Sequence, residues 1–256
     1  ALAVLSMTTT FANGDLVGVE LANANNEVCG GDLRLSFAHS CNSVFAPLGA
    51  KLGPELLVEY AERFGFNRPP PLRGAAISTI PPAEELGDDL NVGASAIGQG
   101  RVQASTLAMT RIAAVFANRG RLPRPTLLYR ADAPQGRGPR SVTARTARIV
   151  RRMMEAVVDE GTGTAAAISG VRVAGKTGTA ELRTTQPCTA TPTDPEACAD
   201  VDPTDTTDTT AWFTAFAPSD DPRIAVGVML VSAGAGGATA APAARLVMVE
   251  ALSRGS

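Results

Sequence analysis

The sequence predicts an α+β fold in which an antiparallel sheet is flanked by helices. Three observations support this. Apolar residues recur at helical spacing through much of residues 32–160, whereas the last third is strand-like before a closing helix. The runs 211–217 and 223–232 flank Pro218-Ser219-Asp220-Asp221-Pro222, the pattern of a hairpin with a longer turn. Hydrophobic residues make up 45% of the 256, so a chain of this length can bury a real core.

In chain order, residues 1–12 are apolar and Thr-rich and are expected to be the tail of a helix. Residues 13–31, with Gly30-Gly31, read as loop and short strand. Across 32–52, Leu33, Leu35, Phe37, Ala38, Val44, Phe45 and Leu48 keep roughly helical spacing, interrupted by Ser40-Cys41-Asn42. This predicts two helical segments meeting at a turn, with Pro47 inside the pattern. Residues 54–64 form an amphipathic helix ended by Gly65. The prolines of 67–83 predict an irregular loop. Ile97-Gly98-Gln99-Gly100 precedes a helix over about 104–118, and residues 131–140 are loop. A long amphipathic helix is expected over 143–160, with Arg145, Arg148, Arg151 and Arg152 on its solvated side. Residues 171–182 are strand-like around Gly-Lys-Thr-Gly-Thr, and 241–253 closes the chain as a helix. Between them, 183–210 is rich in Thr, Pro and Asp. It reads as a surface insertion, either an acidic lip or simply a solvated loop.

Composition narrows the function classes. A net charge of −2 and an aromatic content of 4% argue against nucleic acid as a partner. No run approaches the roughly 18 apolar residues of a membrane helix, and no signal peptide is visible. The cysteines fall into two local pairs, Cys29 with Cys41 and Cys188 with Cys198. On spacing alone these fit disulfides of an oxidising compartment and equally fit idle thiols. His39 is the only histidine, so a zinc site with the usual Cys/His ligands is not expected, and neither a metal nor a cofactor is proposed from the sequence.

Two short motifs can carry chemistry. Lys176-Thr177-Gly178-Thr179 places a cation and hydroxyl donors along one strand edge, with Gly178 leaving room for a substrate backbone. Residues 170–177 also match a phosphate-loop pattern literally. However, Val171, Arg172 and Val173 are strand formers and no helix follows, so the strand reading is preferred. Ser40-Cys41-Asn42 sets a hydroxyl two residues before an amide at a helix junction, suited to proton relay and carbonyl binding. Taken alone, either residue is more simply a helix cap.

The pair Ser-x-Asn and Lys-Thr-Gly, in this order and separated by a largely helical stretch, resembles the second and third active-site motifs of penicillin-binding proteins. Residues 36–53, Ala96-Ile97-Gly98-Gln99-Gly100, Gly161-Thr162-Gly163-Thr164-Ala165, residues 174–181 and Ala211-Trp212-Phe213 are similar to that family too. The resemblance spans roughly 29–252 and is nearest to class B, monofunctional transpeptidases of actinobacterial type.

The resemblance implies a penicillin-binding/serine β-lactamase-like fold over residues 1–256, divided into a helical subdomain of about 13–142 and an α/β subdomain of about 143–256. It implies acyl transfer on D-Ala-D-Ala stem peptides of peptidoglycan, inhibition by β-lactams, and a role in cell shape or division. Ser40 would shuttle a proton to the leaving group, Asn42 would hold an amide of the acyl chain, and Lys176 would supply positive potential. Thr177 and Thr179 would bind the terminal carboxylate, with the Thr179 N–H as one oxyanion donor and Gly178 giving room. The family's first motif, Ser-x-x-Lys, is not found: Ser6 is followed three residues on by Thr9, Ser36 by His39, Ser40 by Ser43 and Ser95 by Gly98. It is expected upstream of Ala1, as is a membrane anchor, with the domain on the extracytoplasmic face and a membrane glycosyltransferase as a possible partner. The chain alone is therefore expected not to react with penicillin. The alternatives are a non-catalytic binding module of the same fold and a serine β-lactamase or β-lactam sensor.

Overall fold

The computed structural model describes residues 9–11, 14–16, 19–21, 23, 28–127, 138–181 and 209–254. The chain opens with four short strands, β1 (Thr9–Phe11), β2 (Gly14–Leu16), β3 (Val19–Leu21) and β4 (Cys29–Gly31). β1 pairs antiparallel with β4, and β2 with β3. Residues 9–11 are therefore strand, not the helix tail expected. The β-branched and aromatic run Thr9-Thr10-Phe11 favours an extended backbone. Its pairing partner lies 20 residues away, where helical spacing carries no information about it.

The predicted helix–turn–helix forms as α1 (Leu33–Ala38) and α2 (Asn42–Leu52). Asp32 caps α1, its Oδ1 accepting the Leu35 N–H at 2.8 Å. α3 (Pro54–Arg63) follows, with Pro54 in its first turn, where no N–H partner is lost. Two further helices, α4 (Ala83–Leu86) and α5 (Asp89–Ala96), lie in a stretch where no helix was expected. α5 lacks a broad apolar stripe. It packs on α2 through small residues, and a Cβ placed on Gly49 would lie 2.1 Å from the Ala96 Cβ. α6 (Thr106–Ala117) and α7 (Ala144–Asp159) start at capping Ser105 and Thr143. A 3-10 turn, Thr164–Ala166, leads to β5 (Ala174–Glu181), β6 (Thr209–Ala217), β7 (Ile224–Leu230) and α8 (Ala240–Ser253).

The three long strands form one antiparallel sheet in the order β5-β6-β7. β6 is central and covered on both faces, which is why it reads as a continuous apolar run. Ala211, Phe213, Ala215 and Ala217 pack with Ala240, Ala241, Ala244 and Met248 of α8. Phe216 turns the other way, onto Ala113 of α6 and Met154 of α7. Each buried phenylalanine contributes about 1.5–3 kcal/mol. Thr214, on the Phe216 side, is tolerated in the interior because its hydroxyl donates to the Met109 carbonyl at 2.8 Å.

Arg145, Arg148 and Arg152 are exposed as expected, but Arg151 is not part of a solvated face. Its Nη1 donates to the Ser219 carbonyl at 3.1 Å, and the Ser219 hydroxyl donates to Glu155 at 2.6 Å. These contacts tie α7 to the β6–β7 turn. Cys188 and Cys198 and most of the 183–210 insertion fall outside the described residues, as do residues 131–137 of the expected loop. No described helix is long and apolar enough to cross a membrane.

Candidate functional site

The site forms where the edge of the sheet meets the α1–α2 turn. In β5, register pairs Lys176 with Thr214 and Thr177 with Phe213. Strand alternation therefore sends Lys176 to the α6–α7 side and Thr177 and Thr179 to the α8 side. Gly175 lies within this strand rather than in a phosphate loop, which removes the nucleotide reading.

Lys176 reaches across to the turn. Its Nζ donates to Ser40 Oγ at 2.6 Å and to the Thr177 carbonyl at 3.0 Å, and sits 5.6 Å above the centre of the Phe37 ring. Among the described residues no carboxylate is hydrogen-bonded to it. The strand edge keeps some exposure, yet the ammonium itself is enclosed, and this desolvation lowers its pKa from 10.5 to about 8. With a pKa of about 8 the amine is populated in both protonation states close to neutral pH, which suits it to a proton relay.

Ser40 holds its place through a left-handed backbone, φ +57°, between the end of α1 and the start of α2. Only Gly, Asn and Asp visit this conformation freely, so the surroundings must enforce it. Three long-range ties do so. Cys29 and Cys41 form a disulfide with a Cα–Cα distance of 5.6 Å, joining the residue after Ser40 to β4. Buried Asn23 accepts the Ser43 N–H at 3.0 Å, capping α2 from a distance where its own N-cap, Cys41, makes no side-chain cap. The Thr162 N–H donates to the Ala38 carbonyl at 3.1 Å.

Asn42 opens α2, partly buried, and its side chain has no hydrogen-bond partner among the described residues. It is thus available to a ligand, but the structure records no contact between it and Lys176. Thr177 Oγ1 lies 2.6 Å from Thr162 Oγ1, and Thr179 Oγ1 accepts the Gly236 N–H at 3.4 Å. Gln99, from the Gly98-Gln99-Gly100 loop, donates to the Thr179 carbonyl at 3.4 Å. Gly178 faces Trp212, and its carbonyl oxygen and Trp212's would lie 2.3 and 2.2 Å from a Cβ on Gly236. The loop at Gly236 thus packs closely against the Gly178 backbone, and the space a Gly178 side chain would take borders the Trp212 Cβ at 3.2 Å. Among the described residues, no group of three or more His, Cys, Asp or Glu side chains converges to hold a metal.

Ser40 and Lys176 are brought together from the sequence-predicted set, with Thr177 and Thr179 on the opposite face of the same edge strand. Thr162, Asn23 and the 236–237 loop were not anticipated as parts of the site. The one signal for Thr162 was its Gly-Thr-Gly context; a buried Asn in a short-strand region offers none.

A family model described as penicillin binding protein transpeptidase domain matches residues 4–249. A peptidoglycan D,D-transpeptidase PbpA of Mycolicibacterium smegmatis is 34% identical over 241 residues, covering 88% of this chain and 44% of the relative. PbpA of Mycobacterium tuberculosis is 34% identical over 254 residues, covering 91% and 47%. The structure of penicillin-binding protein A from M. tuberculosis as an imipenem acyl-enzyme complex superposes with a TM-score of 0.75 at 30% identity, covering 98% of this chain and 56% of that one. The chain spans about half the length of the curated relatives it matches. With 246 of its residues matched by one family model and the α+β architecture shared, the chain belongs to the penicillin-binding protein transpeptidase domain family.

Proposed function

We propose that this chain supplies the substrate-binding and proton-relay part of a peptidoglycan D,D-transpeptidase, acting on D-Ala-D-Ala stem peptides and recognised by β-lactams. The observation that carries this reading is the 2.6 Å contact between Lys176 Nζ and Ser40 Oγ, with the lysine pKa lowered to about 8. A serine nucleophile gives its proton to the lysine of its own motif as its oxygen bonds to the penultimate D-Ala carbonyl carbon, the C–N bond breaks, and the leaving amine takes a proton. Lys176 donates to Ser40 Oγ, which turns the Ser40 proton outward toward that amine, and the lysine then replaces it. Asn42 offers its unpartnered amide to the acyl chain. Thr177, Thr179 and the Thr179 N–H face the terminal carboxylate and the oxyanion.

The nucleophile belongs to a Ser-x-x-Lys motif that these 256 residues do not contain, so the chain by itself binds ligand without acylation. In the cell, the domain works on the extracytoplasmic face of the membrane beside a glycosyltransferase, and its helical and α/β subdomains meet near residue 142. The test is to titrate the chain with penicillin G and follow both binding and intact mass. Reversible binding without an adduct, weakened at least about tenfold by Lys176→Met, is expected. A stoichiometric adduct, or binding indifferent to Lys176, would overturn the reading.

A further inference from the structure

We infer that Thr162 is a positioning residue that sets the direction of the Thr177 hydroxyl proton, and with it the preference of the cleft for an anionic C-terminus. The inference rests on the transpeptidase reading above and concerns a residue that makes no direct contact with ligand in that scheme.

Thr162 stands between the two walls of the site. Its hydroxyl lies 2.6 Å from Thr177 Oγ1 and 3.3 Å from the carbonyl of Ala38, a fully buried residue two positions before Ser40. Behind the pair is the 236–237 loop, where a Cβ on Gly237 would fall 2.2 Å from the Thr162 carbonyl and 3.7 Å from the Thr177 methyl. This loop packs behind the pair, and the smallest rearrangement open to the two hydroxyls is a rotation of their protons.

Each hydroxyl has one proton to donate and lone pairs to accept. With the cleft empty, Thr162 donates to the Ala38 carbonyl and Thr177 donates to Thr162. In that arrangement Thr177 presents no proton to an anion. The Thr162–Ala38 hydroxyl bond is the expendable one, because at 3.3 Å it is long and the same carbonyl already accepts the Thr162 N–H at 3.1 Å. When a carboxylate reaches β5, the Thr177 proton swings to it and the Thr162 proton rotates onto Thr177 Oγ1. One long neutral bond is exchanged for a short charge-assisted one. The resulting chain, Thr162 to Thr177 to carboxylate, runs in a single direction, so each bond polarises the next. A neutral ligand gains little from this relay.

The test is an NMR titration of the full chain with N-acetyl-D-Ala-D-Ala and with its C-terminal carboxamide, for the wild type, Thr162→Val and Thr162→Ser. Thr162→Val keeps the volume and the backbone bond to Ala38 and removes only the hydroxyl. The expected result is a roughly tenfold loss in the carboxylate-over-carboxamide preference for Thr162→Val and a wild-type preference for Thr162→Ser. Equal weakening toward both ligands would mark Thr162 as merely structural, and an unchanged preference would show that it does not orient Thr177; either overturns the inference. A wild-type chain that binds both ligands equally would instead bring down the carboxylate assignment of Thr177 itself, and the inference with it.

Discussion

Lys176 stands inside an eight-residue strand whose every position is in register with β6, whereas Ser40 occupies a left-handed position in the three-residue gap between α1 and α2. The two side chains meet at 2.6 Å, but their backbones are held by different physics. The strand wall is maintained by a repeating ladder and by the packing of β6 beneath it. The turn wall has no ladder. Beyond its local bonds, from the Ser40 N–H to the Phe37 carbonyl and from the Cys41 N–H to the Ser36 carbonyl, it depends on single contacts from residues 23, 29 and 162, each outside the turn. A site built from one regular wall and one stapled wall is expected to loosen from the stapled side first.

Removing the staple gives the largest expected effect. Replacing Cys29 and Cys41 together with Ala should cost about 3 kcal/mol in denaturant unfolding, and Ser40 should lose its hold before the sheet melts. A loss near zero would mean that the turn is fixed by the helices alone. The matching insult to the strand wall is Gly236→Ala, whose new Cβ would fall 2.2 Å from the Trp212 carbonyl and 2.3 Å from that of Gly178. Backbone cannot yield as a side-chain tip does, so about 2 kcal/mol of destabilisation is expected in the same assay. If Gly236→Ala proved harmless, the strand wall would be softer than its ladder implies.

Asn23→Ala tests the distant cap and should cost about 1 kcal/mol. Asn23→Asp keeps the acceptor for the Ser43 N–H and should cost less, which separates the hydrogen bond from simple burial. The most delicate test compares the pH dependence of stability in the wild type and Lys176→Met. The pKa of Lys176 is lowered in the folded state from 10.5 to about 8, so between those pH values the unfolded chain binds more protons. Wild-type stability should therefore rise relative to the variant as pH climbs through this window, and the penalty for burying the charge should be fully present below it. Partial exposure of the strand edge screens this effect, so a modest slope is expected. A slope of the opposite sign would mean that the folded protein stabilises the ammonium.

Much of the architecture was legible because it is written locally. The break at Ser40-Cys41-Asn42 between two apolar periodicities, the amphipathic pattern over 143–160, and the strand-like run 171–182 each involve residues close to one another in the chain. α5 was missed because its packing uses Gly49 and Ala96 in place of an apolar stripe, and β1 because its partner is β4. The solvated reading of Arg151 failed for a similar reason: what pulls it inward is Ser219, 68 residues on.

By itself the sequence determined the helix–turn–helix around Ser40, the Lys176 strand, the hairpin and the closing helix, since backbone preferences and hydrophobic period act over short distances. Only the tertiary structure decided that Lys176 would lie against Ser40 across 136 positions of chain, that Cys29 would pair with Cys41, and that Thr162 would bridge the two walls. Threonines are common and carry no periodic mark. Their place in a site comes from how α7, the 3-10 turn and β5 pack together, and that is a property of the folded whole.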